Sequence, residues 1–184
     1  MRRASIQGLD GMSLSELARD VGLSKAGVIG PFGSKQALQL AALARGAEVF
    51  REAVWLPAAE LPAGRPRLNG IGGAWFDYLE RCPLPGGCFV TTASVEWDAR
   101  GGPVRDAVAE LQGRWMRTLA ADAETAIRAG ALSADAEPAG VAFELNAIAL
   151  GLNLSVQLLD DAEARRHADR ALERLLRPQA AALA

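Results

Sequence analysis

The segment SLSELARDVGLSKAGVIGPFGSK, residues 13–35, concentrates side chains that can bond phosphates and base edges. Ser24 and Lys25 open a short apolar run, where a hydroxyl and an ammonium group are free to contact a nucleic acid. Lys35 opens the next run, where it can meet a phosphate together with the N–H groups of a helix terminus. The alternative for Lys35 is a solvated surface lysine. The DNA-contacting residues predicted from this segment are Ser24, Lys25, Ala26, Gly27, Ile29 and Lys35.

Two short helices with a glycine turn between them should position these residues. Apolar residues within 14–21 recur at i, i+3, i+4 and i+7, which predicts one helical face. Ser13 is the expected N-cap, with Glu16 as its capping-box partner, and Gly22 supplies the turn. Ser24 can cap the second helix. In a helix-turn-helix the second helix enters the major groove N-terminus first, whereas the alternative is a plain helical hairpin.

The second predicted helix meets an obstacle at Gly30-Pro31, because proline removes a backbone N–H and disfavours helical geometry in the residue before it. The helix can still recognise DNA bases, since its N-terminal residues are the ones that approach them. Ala26 and Gly27 offer little hydrogen bonding to base edges. Sequence specificity should therefore depend on Ser24, Lys25, Ile29 and DNA shape.

The composition predicts an ordered, helical protein. Half of the 184 residues are apolar and 23% are charged. The formal net charge is −2, yet residues 1–51 carry seven Lys/Arg against four Asp/Glu, so the basic part coincides with the predicted DNA-contacting segment. Proline and glycine divide the chain into helical windows without strand-like alternation, which predicts an all-α fold.

The last two predicted helices, residues 139–159 and 163–177, indicate a homodimer. The first has apolar residues on two sides, and a helix apolar on two sides must be covered on two sides. A partner subunit is the natural cover. The tail after Pro178 reads as disordered. The interface residues predicted here are Ile148, Leu152, Val156, Leu159, Ala168, Leu172 and Leu175.

Four aromatic residues on the inward faces of three consecutive predicted helices could line an apolar pocket for a flat or apolar effector. They are Trp75, Phe89, Trp97 and Trp115. The alternative for each is an ordinary core position. Glu96 and Asn146 are the polar residues expected to face the same interior, although a hydrated dimer interface is an equal alternative for the polar stripe that contains Asn146.

Catalytic and metal-binding constellations are not apparent. His167 is the only histidine, and Cys82 and Cys88 in CPLPGGC match neither zinc-ligand spacing nor a C-x-x-C redox pair. We therefore expect no enzyme activity, no metal and no cofactor. The two thiols are expected to be structural or incidental, and a redox switch is the lesser alternative. The first 30 residues lack a continuous apolar segment, which predicts a cytoplasmic protein. Polar residues interrupt the apolar stretch 139–159, which favours a helix buried in protein over a membrane span.

The run LARDVGLSKAGVIGPFGSKQALQLAAL, residues 17–43, resembles the DNA-binding region of the TetR family of transcriptional regulators. In that family a helix-turn-helix precedes a tetrapeptide ending in phenylalanine and then a Ser-Lys start to a long connecting helix, and Phe32, Ser34 and Lys35 match those places. The stretch GGCFVTTASVEWDARGGPVRDAV, residues 86–108, is similar to the ligand domain of part of the family. The resemblance implies an all-α homodimer with an effector cavity in the larger domain. The last two helices of each subunit would form a four-helix bundle with the same two helices of the partner.

Two departures from the family pattern stand out. Ile29, Gly30 and Pro31 replace the usual aromatic residues, and only about seven residues precede Gly8, where the family has a first helix of several turns. A start downstream of the natural initiation site and loss of the helix are the two explanations.

The sequence thus predicts a small helix-turn-helix domain, residues 1–45, joined by a long connecting helix to an effector-binding and dimerisation domain, residues 46–184. The expected function is that of a ligand-responsive regulator, a repressor, which binds palindromic operator DNA as a homodimer and is released by a small apolar or aromatic effector. The alternative is a small-molecule-binding helical dimer that no longer binds DNA. No membrane partner is expected.

Overall fold

The computed structural model describes residues 1–178, and every regular element in this part of the chain is helical, which confirms the predicted all-α fold. The disorder predicted after Pro178 concerns residues outside the described range. A π-helical turn, Arg51–Trp55, connects the fourth helix to the fifth. The helices are α1 Arg2–Gln7, α2 Leu14–Val21, α3 Lys25–Ile29, α4 Lys35–Phe50, α5 Leu56–Ala59, α6 Arg65–Glu80, α7 Phe89–Trp97, α8 Pro103–Arg128, α9 Pro138–Gln157 and α10 Ala164–Leu175.

The chain forms two compact units. The first unit combines Met1–Phe50 with Cys82–Leu111, and the second combines Arg51–Arg81 with the chain from Gln112 onward. This grouping differs from the division at residue 45 expected from the sequence. The physical reason is that α7 packs against both α4 and α1, so it belongs with the helices of the N-terminal segment.

The core of the first unit joins the loop after α1 to α4, α7 and the start of α8. Gly46 of α4 lies directly against the ring of Phe89 on α7, where a Cβ atom would collide with Cδ1 and lie 3.0 Å from Cε1. The two helices therefore approach more closely than any larger residue would allow. The large apolar side chains of this core are Leu9, Met12, Leu43, Leu84, Phe89, Trp97, Val104 and Val108.

In the second unit, α6 packs against α9 and α10. Gly72 of α6 makes room for the side chain of Leu172 on α10. The guanidinium of Arg65 donates a 2.6 Å hydrogen bond to the carbonyl of Leu176, which ties the start of α6 to the end of α10. These contacts hold the three helices together, and each of them packs against the other two.

A buried carboxylate fixes the start of α6. Asp122 of α8 is only 4% exposed, and its Oδ1 accepts hydrogen bonds from the backbone N–H of Gly64 at 2.9 Å and from Arg67 at 3.4 Å. The acid thereby satisfies a free N–H at the helix N-terminus, where negative charge is favoured. The local sequence pattern does not predict the bond between Gly64 and Asp122, because these residues lie 58 positions apart in the chain.

The outer end of α6 is held by an arginine. Arg165 of α10 donates to the carboxylates of Asp77 at 2.6 Å and Glu80 at 2.7 Å, and its guanidinium lies 5.9 Å from the ring centre of Phe76. It also bonds Asp169 one turn further along α10. A single cation thus bridges α10 to the last turn of α6.

Three residues expected at a dimer interface lie inside their own chain. Leu152, Ala168 and Leu172 are 3–6% exposed, because α6, α9 and α10 pack on one another in the same unit. Ile148, Val156 and Leu175 are half-buried, and Leu159 is exposed. The uncovered apolar face of α9 is instead made by Phe143, Leu150, Leu154 and Leu158, which are 39–70% exposed.

Among residues 1–178, α9 is also the one helix whose length and composition would suit a membrane span, a property it shares with core helices of soluble proteins. Its contacts with α6 and α10 are those of a helix within a folded unit.

The contact between α4 and α7 gives a stability prediction. Gly46→Ala should lower the free energy of unfolding by about 1–3 kcal/mol, since the added methyl group collides with the Phe89 ring. Gly73→Ala is the matched control: nothing lies within 4 Å of its Cβ position in α6, so alanine should raise stability by up to about 1 kcal/mol. Urea unfolding at one fixed protein concentration measures both, and equal signs would contradict the tight contact.

Candidate DNA interface and effector-facing residues

The helix-turn-helix geometry forms as the sequence predicts. The hydroxyl of Ser13 accepts from the N–H of Glu16 at 3.4 Å and caps α2, which ends at Gly22 with φ of 68°. The N–H of Leu23 then bonds the carbonyl of Ala18 at 2.9 Å. The reciprocal half of the predicted capping box is replaced, because the carboxylate of Glu16 accepts from Arg3.

The second helix of the pair, α3, presents its N-terminus to solvent. The hydroxyl of Ser24 accepts from the N–H of Gly27 at 3.0 Å, and no residue of the five-residue helix is buried. The helix ends before Pro31, as predicted, and the N–H groups of Phe32 and Gly33 both bond the carbonyl of Ile29. The predicted contact residues Ser24, Lys25, Ala26 and Gly27 are all exposed, and Ile29 is half-buried.

The connecting helix α4 begins next to this unit. The hydroxyl of Ser34 caps it by accepting from the N–H of Ala37 at 3.0 Å. Lys35, its first residue, has an exposed side chain whose Nζ donates to the carbonyl of Asp10 at 2.7 Å and lies 3.6 Å from the Asp10 carboxylate. The ammonium group predicted to meet a phosphate is therefore held at the surface beside an acid.

The short helix α1 is fastened to α2 by charge. The guanidinium of Arg3 pairs with both carboxylate oxygens of Asp20 and donates to Glu16 at 3.1 Å. The hydrogen bond from Arg3 lowers the pKa of the Asp20 carboxyl below its ordinary value. The six-residue helix α1 is thus joined to α2 of the helix-turn-helix through the ion pairs of Arg3.

Glu96 has a different environment from the one expected. Its two carboxylate oxygens accept hydrogen bonds from the backbone N–H groups of Leu9 at 2.6 Å and Asp10 at 2.8 Å. The buried side chain of Gln39 donates to the carbonyl of Leu9 at 3.0 Å. Sequence reasoning missed Gln39 and this use of Glu96, because the bonds join residues 30 to 87 positions apart in the chain.

The predicted effector-facing aromatic residues fall into two groups. Trp75 and Trp115, in the second unit, form an edge-to-face pair with ring centres 5.4 Å apart. Phe89 and Trp97 are buried in the core of the first unit. The buried indole N–H of Trp97 has no hydrogen-bond partner among residues 1–178, and the guanidinium of Arg100 lies 5.1 Å from its ring centre.

The remaining polar candidate, Asn146, is half-buried on α9 in the second unit. An open groove of about 360 Å³ lies between α9 and α10, and Asn146 is not among the residues that line it. The groove is mostly apolar, with one acid and one base, and its lining residues are Glu144, Ala147, Ile148, Ala171, Arg174 and Leu175.

Cys82 and Cys88 are thiols that are not joined in a disulfide. Cys88 is buried, and burial raises the pKa of its thiol, whereas the Cys82 thiol donates to the carbonyl of Gly87 at 3.1 Å. Within residues 1–178, no group of three His, Cys, Asp or Glu side chains could hold a metal ion.

Comparison with solved structures identifies the fold. A TetR transcriptional regulator from Chloroflexus aurantiacus J-10-FL aligns with a TM-score of 0.84 at 26% identity, over 93% of this chain and 86% of that one. AibR, in complex with isovaleryl coenzyme A and operator DNA, aligns with a TM-score of 0.80 at 19% identity, over 97% and 94%. Reduced NemR from E. coli aligns with a TM-score of 0.75 at 22% identity, over 96% and 92%.

At the level of sequence, no curated protein matches the chain. A family model described as "Tetracyclin repressor-like, C-terminal domain" matches residues 64–172, which is more than half of the 184 residues. The helix-turn-helix of α2 and α3, the connecting helix α4 and the helical C-terminal part agree with that match. The chain belongs to the TetR family of transcriptional regulators.

Proposed function

We propose that the chain is a ligand-responsive repressor that binds palindromic operator DNA as a homodimer in the cytoplasm and is released by a small apolar or aromatic effector. The observation that carries the proposal is the fully exposed N-terminus of α3, capped by Ser24 and bearing Lys25. A capped, solvent-facing helix start is the part that a helix-turn-helix inserts into the major groove.

Two kinds of DNA contact are expected from this surface. Lys25 and Ser24 face base edges, whereas Lys35 and the N-terminus of α4 face a phosphate. In a homodimer with two reading helices, the two major-groove segments would lie about 34 Å apart, so the operator should be an inverted repeat. The family match supports DNA binding of this type.

Lysine variants test the DNA contacts. Lys35→Ala should weaken binding to every duplex about equally and reduce the slope of log affinity against log salt by up to about one, because the phosphate contact of Lys35 is lost. Lys25→Ala should instead reduce discrimination between an operator selected from a random library and unrelated duplexes. Fluorescence anisotropy at several salt concentrations measures both, and Arg128→Ala at the end of α8 is the control that removes one positive charge from an exposed residue elsewhere.

A wild-type protein that binds no duplex at low salt, while still binding an effector, would contradict DNA binding. That result would favour the second candidate, a small-molecule-binding helical dimer without DNA affinity.

The dimer is proposed to form through α9 and α10. Phe143, Leu150, Leu154 and Leu158 leave one face of α9 apolar and uncovered, and an exposed apolar stripe of this length needs a partner. The adjacent groove carries Glu144 and Arg174, which are opposite charges on one surface. A two-fold related copy would bring the acid of one subunit towards the base of the other.

Aspartate substitutions test this interface. Leu154→Asp should raise the dimer dissociation constant by roughly thirtyfold or more, because association would bury an unpaired charge. Val95→Asp on α7 is the control: Val95 is 69% exposed and lies outside α9 and α10, so the dimer should persist. Sedimentation equilibrium measures both. A wild-type chain that is monomeric at micromolar concentration would contradict the proposed interface.

The effector is proposed to be sensed at Trp97. Its buried indole N–H is unsatisfied within residues 1–178, so an effector with an apolar body and one hydrogen-bond acceptor would complement it. Because Phe89 of the same helix packs against Gly46, displacement of α7 would move the connecting helix α4. AibR, whose structure contains both isovaleryl coenzyme A and operator DNA, supports a joint response to ligand and DNA in this fold.

Reciprocal coupling tests the response. An effector that quenches the tryptophan fluorescence, with isovaleryl coenzyme A as the first compound tried, should bind more weakly to the operator complex by the factor by which it weakens DNA binding. Trp97→Phe keeps a ring but removes the N–H, and should lower effector affinity by roughly fivefold to tenfold. Identical effector affinities with and without operator would contradict the coupling.

A further inference from the structure

The loop between α1 and α2, residues 8–12, is held by side chains from two other helices. Glu96 of α7 binds its backbone N–H groups at Leu9 and Asp10, at 2.6 and 2.8 Å. From α4, Gln39 donates to the carbonyl of Leu9 at 3.0 Å, and Lys35 donates to the carbonyl of Asp10 at 2.7 Å. Two consecutive residues, Leu9 and Asp10, therefore have both their backbone N–H and their backbone C=O bonded.

The approach of Glu96 to the loop requires a glycine. Gly8 has a φ of 81°, and a Cβ atom there would lie 2.6 Å from Oε1 of Glu96 and 2.8 Å from its Oε2. A carboxylate accepting two backbone N–H groups makes charge-assisted bonds, which are stronger than neutral ones. The carboxylate and the missing side chain at Gly8 together fix where the next residues point.

The side chain placed in this way is Asp10. Its carboxylate lies 3.6 Å from Nζ of Lys35 and accepts a 2.7 Å hydrogen bond from Arg100, which follows α7 in the chain. The bond from Arg100 lowers the pKa of the Asp10 carboxyl below its ordinary value, so this group is negatively charged at neutral pH. An acid thus stands beside the lysine that is proposed to meet a phosphate.

We propose that Asp10 limits the affinity for DNA by neutralising Lys35, and that Glu96 is the positioning residue that keeps it there. The inference rests on the proposed DNA contact of Lys35. A phosphate approaching Lys35 must compete with the Asp10 carboxylate for the ammonium group and also meets its negative charge. The part of α7 next to Trp97 therefore sets how much of the Lys35 charge is available to DNA.

Asp10→Asn is the direct test, because asparagine keeps the shape of the side chain and leaves the backbone bonds of residue 10 in place, while it removes the charge and one of the two acceptor oxygens. At about 50 mM salt, affinity for a random-sequence duplex should rise roughly threefold to tenfold, and the salt slope should steepen by less than about 0.9, the value for one whole phosphate contact, because Lys35 already makes part of this contact in the wild type. A purely structural role of the loop would instead lower the affinity or leave it unchanged.

Asp98→Asn is the matched control, since it makes the same charge change at an exposed residue directly after α7. The increase in DNA affinity caused by Asp98→Asn should be less than half of the increase caused by Asp10→Asn. In Lys35→Ala protein, Asp10→Asn should give little gain, because the lysine it releases is absent. In Glu96→Gln protein the gain should also fall by more than half, since glutamine has one acceptor oxygen for the two N–H groups.

The outcomes separate this inference from the proposed function. Wild-type protein that is folded and dimeric but binds no duplex at about 50 mM salt would overturn both. Wild-type binding with equal gains for Asp10→Asn and Asp98→Asn would overturn only the role of Asp10. Additive effects of Asp10→Asn and Glu96→Gln would overturn the positioning role of Glu96. Thermal unfolding of each variant checks that the compared proteins are folded.

Discussion

The first unit depends on how the backbone of residues 8–10 is bonded. This loop has no regular structure of its own, so its N–H and C=O groups need partners from elsewhere. Glu96 of α7 supplies acceptors, and Gln39 and Lys35 of α4 supply donors. The loop in turn places α1 and α2 against the rest of the unit. Four bonds from side chains to the backbone therefore position the start of the helix-turn-helix with respect to α4, which follows it in the chain, and to α7, which is distant in the sequence.

Local sequence rules were sufficient for the helix-turn-helix and insufficient for its support. Ser13, Gly22 and Ser24 act within four residues of their own position, so capping and turn preferences predicted them correctly. The bonds of Glu96 to residues 9 and 10 and of Asp122 to residue 64 join distant segments, and a single sequence gives no sign of which segments meet. For the same reason Glu96 was expected at an effector, although its polar character at an inward position was recognised.

The helix α9 illustrates a second limit. Its sequence is apolar on two sides, which predicts two covers but does not tell which side faces the chain's own core. Packing on α6 and α10 covers the side that contains Leu152, and leaves Leu150 and Leu154 exposed. The choice is decided by the orientation of α9 relative to α6, a tertiary property. Residues two positions apart on a helix point in different directions, so a small error in the assigned face exchanges buried for exposed positions.

In the proposed mechanism, α7 combines two tasks at adjacent positions. Glu96 holds the loop that carries Asp10, and Trp97, next in the chain, has the unsatisfied buried N–H proposed to meet an effector. Arg100 touches both, since it bonds Asp10 and lies over the Trp97 ring. An effector that displaces Trp97 would also displace the Glu96 carboxylate, because both residues belong to the short helix α7. Release of DNA by this route requires the shift to bring the Asp10 carboxylate closer to Lys35, because a stronger ion pair weakens the phosphate contact, whereas a shift away from Lys35 would strengthen DNA binding.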